Sequence, residues 1–159
     1  MKPATLGSIS HGTLKSDDLI NAFHDELEWQ INRQDRTPEN RDELDRLNAI
    51  YGRISDECWD DNGDFVETEF DGEIIAELED ALNCFAPAYC YFGSHPGDGS
   101  DFGYWVSENI QEDFDGLQVS DLSEVPNDYA GEVMHVSDHG NIEIYSVIDG
   151  KFTSILAVV

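Results

Sequence analysis

The sequence predicts an α+β fold: an N-terminal helical hairpin and a third helix packed on a C-terminal antiparallel sheet. Three observations carry that prediction. Apolar residues recur at helical spacing in three stretches before residue 86. Beyond residue 87 they fall in short runs broken by Gly, Asn and Asp. Helical patterns come first and strand patterns later, the order of an α+β rather than an α/β chain. At 159 residues the chain is the size of one ordinary domain, which buries about 68–70% of its unfolded surface. Residues 1–159 are therefore read as a single domain, with an irregular or partly extended lead-in over 1–15, a mainly helical part over 16–86 and mainly antiparallel strands over 87–159.

The first helix is expected over 17–33, with Ser16 as N-cap and Asp17 and Asp18 in the first turn, where the helix dipole favours acids. Leu19, Ile20, Phe23, Leu27 and Ile31 form its apolar stripe. A second helix is expected from Thr37 to about Arg53, opened by Pro38 at its first position. Leu44, Leu47, Ile50 and Tyr51 face inward, and Arg41–Asp45 and Asp42–Arg46 stand four apart on its surface. After the turn DDNGD comes an extended piece, FVETEF. A third helix follows over 73–85, with Ile74, Ile75, Leu78, Ala81 and Leu82 inward and Pro87 ending it.

The second half reads as AYCYF, DFGYWV, a helical turn at SENIQEDF, then LQVSDL and a meander of EVMHVSD, IEIYSVI and FTSILAVV. The connections DHGN and IDGK carry the chemistry of tight hairpin turns.

The glycine-rich loop GSHPGDGSDFG invites a ligand. Phosphate is disfavoured, because the loop has no Lys and two aspartates that repel an anion. His95, Asp98 and Asp101 are metal-capable donors at short spacing, yet they match neither an EF-hand nor a zinc pattern. The loop is read as a turn whose glycines supply positive φ between two aromatic strands. Tyr89, Tyr91, Phe92, Phe102, Tyr104 and Trp105 are read as core rather than as a stacking platform.

No catalytic residue, metal ligand or cofactor site is assigned, and the chain is read as a non-enzyme. His135, Ser137 and His139 do not form a nucleophile–base pair: His135 and Ser137 lie on one strand face and His139 in the hairpin. Cys58, Cys84 and Cys90 are odd in number, contain no CxxC pair and are read as buried free thiols, Cys84 and Cys90 lying in apolar surroundings. With no membrane span and no signal-peptide core, the expected location is the cytoplasm, a bacterial host's cytoplasm if the chain is phage-encoded.

Charge is the abnormal quantity. The chain has 35 acids against eight Lys and Arg, a formal net charge of −27. Five of those bases (Arg33, Arg36, Arg41, Arg46, Arg53) share one short stretch, and from Ile54 to Gly150 there is none, while 25 of the acids fall there. Direct binding of nucleic acid through its phosphates is not expected on this ground, and an anionic membrane surface is disfavoured, since affinity for both comes largely from Lys and Arg. The expected partner is a basic protein, above all a nucleic-acid-binding enzyme or complex. Carboxylates about 5–6 Å apart on a helix face, or about 6.6 Å apart along a strand, approximate a row of backbone phosphates. Three candidate rows follow, with Glu57 beside them: Asp56, Asp60, Asp61 and Asp64; Glu67, Glu69 and Asp71; and Glu73, Glu77 and Asp80.

The stretch YFGSHPGDGSDFGYW, with VPNDYAGEV and DHGNIEIYSV after it, resembles a set of small acidic proteins encoded by bacteriophages and mobile elements. That resemblance covers about residues 88–159 and implies a phage or plasmid setting without an activity. The same glycine turn between strands is similar to the core of SUKH-type immunity proteins, although Pro96 and the lack of matching helices around the turn depart from that pattern. The expectation is an acidic phage-type inhibitor working by DNA mimicry, of anti-restriction or anti-CRISPR type. An immunity protein neutralising a basic toxin, or an acidic domain of unassigned role, is the alternative.

Overall fold

The computed structural model describes residues 1–158, which group into two compact units, Met1–Val106 and the residues from Ser107 onward. The sequence reading treats the chain as one domain; each unit is described by itself. The fold is α+β: N-terminal helices precede an antiparallel-rich C-terminal sheet.

In the first unit, β1 (Gly7–His11), α1 (Ser16–Asn32), α2 (Arg41–Cys58), α3 (Asp71–Asn83), β2 (Cys90–His95) and β3 (Asp98–Val106) follow one another. The sheet order is β1-β3-β2, antiparallel throughout. The lead-in is therefore partly a strand, and it pairs with the distant aromatic strand β3. Its alternation is too short to register as a strand in sequence.

α1 packs on α2, α3 and β1, while α3 also packs on β2. Leu19, Ile20, Phe23 and Leu27 are all buried, as their spacing requires. Phe23 meets Phe92 edge-on at 5.0 Å between ring centroids, and Phe92 meets Tyr104 at 4.9 Å. Burying each such side chain contributes about 1.5–3 kcal/mol. Phe92, Phe102 and Tyr104 thus belong to the core; Tyr89, Tyr91 and Trp105 are half-buried on the same strands or beside them.

Several helix ends differ from expectation. Lys15, not Ser16, is the N-cap of α1, and no side chain caps it. α2 begins at Arg41 because the Asn40 side chain accepts from the Thr37 N–H at 2.8 Å, closing a turn around Pro38 before the helix starts. α2 also runs on to Cys58, burying Ile54 and Cys58. The two expected i,i+4 pairs are replaced. Arg46 binds Glu43 at 2.6 Å, Arg41 lies 3.7 Å from Asp42, and Arg36 takes Asp45. A guanidinium reaches several carboxylates here, and spacing alone does not choose among them. FVETEF is not a strand: only Phe65 makes a β-bridge, to Trp59. α3 starts at Asp71, two residues early, and ends at Asn83, before Pro87.

The glycine-rich loop is a hairpin between β2 and β3, but its glycines do not take positive φ. Gly103 is there for close approach. A Cβ on it would lie 2.1 Å from the Gly7 carbonyl oxygen of β1.

The second unit holds α4 (Ile110–Asp113), β4 (Leu117–Val119), β5 (Gly131–Val136), β6 (Ile142–Ile148) and β7 (Lys151–Val158) in the order β4-β5-β6-β7. β5, β6 and β7 form the expected meander, and β4 pairs parallel with β5. Val119, Val133 and Val147 form one buried cluster of this unit, in which Met134 and Ile144 are also fully buried. Asp149 and Gly150 both have positive φ, 52° and 73°, the signature of a type I′ hairpin turn. Val159, the last residue of the expected final strand, lies outside the described residues.

His24 is buried between Tyr51 and Trp59, with ring centroids 4.1 and 4.6 Å away, and its Nε2 is 2.8 Å from the Ser55 hydroxyl. Burial lowers its pKa, against the opposing Tyr51 carbonyl, Asp25 and Glu28. The unfolded chain then takes up this proton more readily than the folded one. His24 thus contributes stability that is present above about pH 6.5 and lost as pH falls through its lowered value. Urea melts of the wild type and His24→Phe between pH 7.5 and 5 should differ in slope, the wild type losing relative stability on acidification. Gly103→Ala should cost about 1–3 kcal/mol through overpacking of β1 against β3, read as a lower urea midpoint.

Candidate partner-binding surface

The eleven acids proposed from sequence lie between the second half of α2 and the end of α3, all in the first unit. The structure divides them by what they already do. Asp56 is exposed on α2. Glu57, one residue on, is bound by Arg53 at 2.8 Å, and the other arm of the same guanidinium holds Glu77 of α3. Arg53 therefore ties the two helices together, and Glu77 is only half-exposed.

Asp60 opens the turn after α2. Its carboxylate accepts from the Asn62 N–H at 2.8 Å and the Asp64 N–H at 3.0 Å. These backbone hydrogen bonds, led by that from Asp64, hold its carboxyl below the usual carboxylate range. Asp61 and Asp64 stand exposed on the same turn. Glu67 and Glu69 are exposed in the irregular segment that follows.

Asp71 is the exception. It is buried at the start of α3, 6% exposed, and accepts from the Thr68 N–H at 2.9 Å and the Thr68 hydroxyl at 2.8 Å. It holds the chain's entry into α3 and does not face a partner. Glu73 and Asp80 are exposed on α3. The expected rows are therefore interrupted: α2 ends at Cys58, residues 59–70 are irregular, and Asp71 turns inward. Seven acids remain exposed without a described partner: Asp56, Asp61, Asp64, Glu67, Glu69, Glu73 and Asp80.

Sequence reasoning missed Glu79 beside this surface. It is half-buried, and burial, then the neighbouring Asp80 charge, raises its pKa. It also missed Val66 and Phe70, which are large, apolar and exposed. The signal was present in FVETEF, where Phe65 packs on Trp59 and the core while Val66 and Phe70 stay exposed.

The remaining candidates are engaged structurally. His95 packs edge-on to Trp105 at 4.7 Å and accepts from the Gly97 N–H, while Asp98 accepts from Ser100. Among the described residues no group of three His, Cys, Asp or Glu could hold a metal ion. His135 lies 3.0 Å from Glu143 on the neighbouring strand and 3.2 Å from the Ser120 carbonyl oxygen. The Ser137 hydroxyl accepts from the Asn141 N–H instead of meeting a histidine. All three cysteines are free thiols, Cys58 buried and the other two half-buried, and burial pushes the Cys90 thiol up to about 11. Among the described residues no helix is long and apolar enough to cross a membrane.

Comparisons with family models, curated proteins and solved structures return no match.

The division among the acids is measurable. Asp71→Ala should cost on the order of 1–3 kcal/mol by removing the partner of two Thr68 donors. Glu73→Gln, on the exposed face of α3, should stay within about 0.5 kcal/mol. Urea titration at neutral pH compares the two.

Proposed function

We propose that the chain is an inhibitor that binds a basic, nucleic-acid-binding protein by presenting carboxylates in place of phosphates, in the manner of a phage-encoded anti-restriction or anti-CRISPR protein. The observation that carries this reading is a concentrated surplus of exposed carboxylates without counter-charge. Six acids meet a Lys or Arg in the described ion pairs, out of 35 in the chain. All six lie at or before Glu77, and no Lys or Arg occurs from Ile54 to Gly150. Such a surface repels nucleic acid and attracts cationic grooves at long range, with association that weakens steeply as salt rises.

With the rows interrupted between Cys58 and Asp71, the reading rests on the density of exposed, uncompensated carboxylates rather than on a phosphate-like spacing. Charge sets the rate of encounter, and apolar and shape complementarity set the lifetime of such complexes.

The test is capture of a partner from bacterial lysate on the tagged full chain, followed by elution with duplex DNA. Release of a DNA-binding protein by the competitor is the expected result. A captured partner that duplex DNA leaves in place would overturn mimicry and favour a narrow inhibitor of the immunity type. Neutralising Asp56, Asp61, Asp64, Glu69 and Glu73 together to Asn or Gln should weaken capture by about tenfold or more near physiological salt, with the circular dichroism spectrum unchanged.

A further inference from the structure

The segment that joins α2 to α3 interleaves apolar and acidic residues, FVETEF, and it is not a strand. Val66 and Phe70 within it are 42% and 54% exposed, two of seven large apolar side chains that the described surface leaves in solvent. Phe70 lines a groove of about 490 Å³ together with Ile74, Glu57, Glu73, Glu77 and Arg53. Arg53 employs one oxygen of Glu57 and one of Glu77, the Oε2 atom in each case. The Oε1 atoms of both residues and the whole Glu73 carboxylate are left without a described partner. Three carboxylates against one guanidinium leave the groove anionic.

An apolar wall rimmed by carboxylates suits one kind of side chain: a long alkyl stem with a cationic head. Arginine suits it better than lysine, because its planar fork pairs with carboxylates two-pronged and stacks on an aromatic face. The chain already shows this geometry elsewhere, with the Arg33 guanidinium 4.7 Å from the centre of the exposed Trp29 ring. Among the described residues no cation stacks on the Phe70 ring.

We propose that the Phe70 groove is the specific contact of the acidic surface, seating an arginine side chain presented by the basic partner. The proposal rests on the partner-binding reading above and adds to it a position and a residue type. The carboxylates steer the partner in, and Phe70 with Ile74 holds the stem once water has been expelled. An exposed aromatic inside a charged rim is the arrangement of a binding hot spot.

The experiment titrates the isotope-labelled full chain with hexa-arginine peptide at about 0.15 M salt, where distant charge effects are screened, and follows amide shifts. Residues around Phe70 and Glu73 should shift first and saturate. Phe70→Ala, at an exposed position, should weaken binding roughly five- to tenfold. Glu112→Gln, an exposed acid of α4, should change it by less than about twofold. Spermine carries charge without a guanidinium and should show little dependence on Phe70. Equal losses for Phe70→Ala and Glu112→Gln, shifts spread evenly over the acids, or no measurable binding would each overturn the groove. If hexa-arginine binding depends on Phe70 while duplex DNA fails to release the lysate partner, the groove stands and mimicry alone falls.

Discussion

The edge-on packing of Phe23 against Phe92 is the contact on which the first unit depends. It joins the central helix to the sheet, and through Phe92 it reaches Tyr104, fully buried on the middle strand. Three segments far apart in sequence, the lead-in, the helices and the aromatic hairpin, converge on those rings. A chain with a formal charge of −27 has no electrostatic reason to compact, since like charges oppose it. Apolar burial must supply the driving force, and the aromatic centre is where it is most concentrated.

Around that centre the few cations are placed with economy. Arg53 holds Glu57 on its own helix and Glu77 on α3, Arg46 holds Glu43, and Arg36 holds Asp45. Each relieves repulsion close to a helix–helix or helix–turn junction, where carboxylates would otherwise crowd. As exposed pairs they contribute little stability individually. Their consequence is a sorting of the acids into those that hold the fold and those left facing solvent. Asp60 and Asp71 are sorted in the same way by backbone and hydroxyl donors.

The candidate surface was legible in sequence to the extent that charge is legible. That carboxylates crowd residues 56–80 without bases follows from composition. That Asp71 turns inward does not, because its role depends on Thr68 being three residues away in a turn that no periodicity announces. Phe70 was legible only as an apolar residue in an apolar–acidic alternation. Such alternation normally means a half-buried strand, and here, among the described residues, only Trp59 bridges to the segment, at Phe65. The same limit explains β1, a five-residue strand whose partner β3 lies about ninety residues downstream.

By itself the sequence determined the α+β class, the buried faces of three helices, the β5–β6–β7 meander and the charge imbalance. Each follows from local periodicity, turn chemistry or composition, properties that neighbouring residues carry without reference to the rest of the chain. Only the tertiary structure decided that the lead-in enters the sheet, that β4 runs parallel to β5, and that the glycine at position 103 serves close approach rather than positive φ. It alone decided which acids Arg53 claims and which side of Phe70 stays open. Those outcomes depend on contacts between residues distant in sequence, where several partners are sterically possible and packing selects among them.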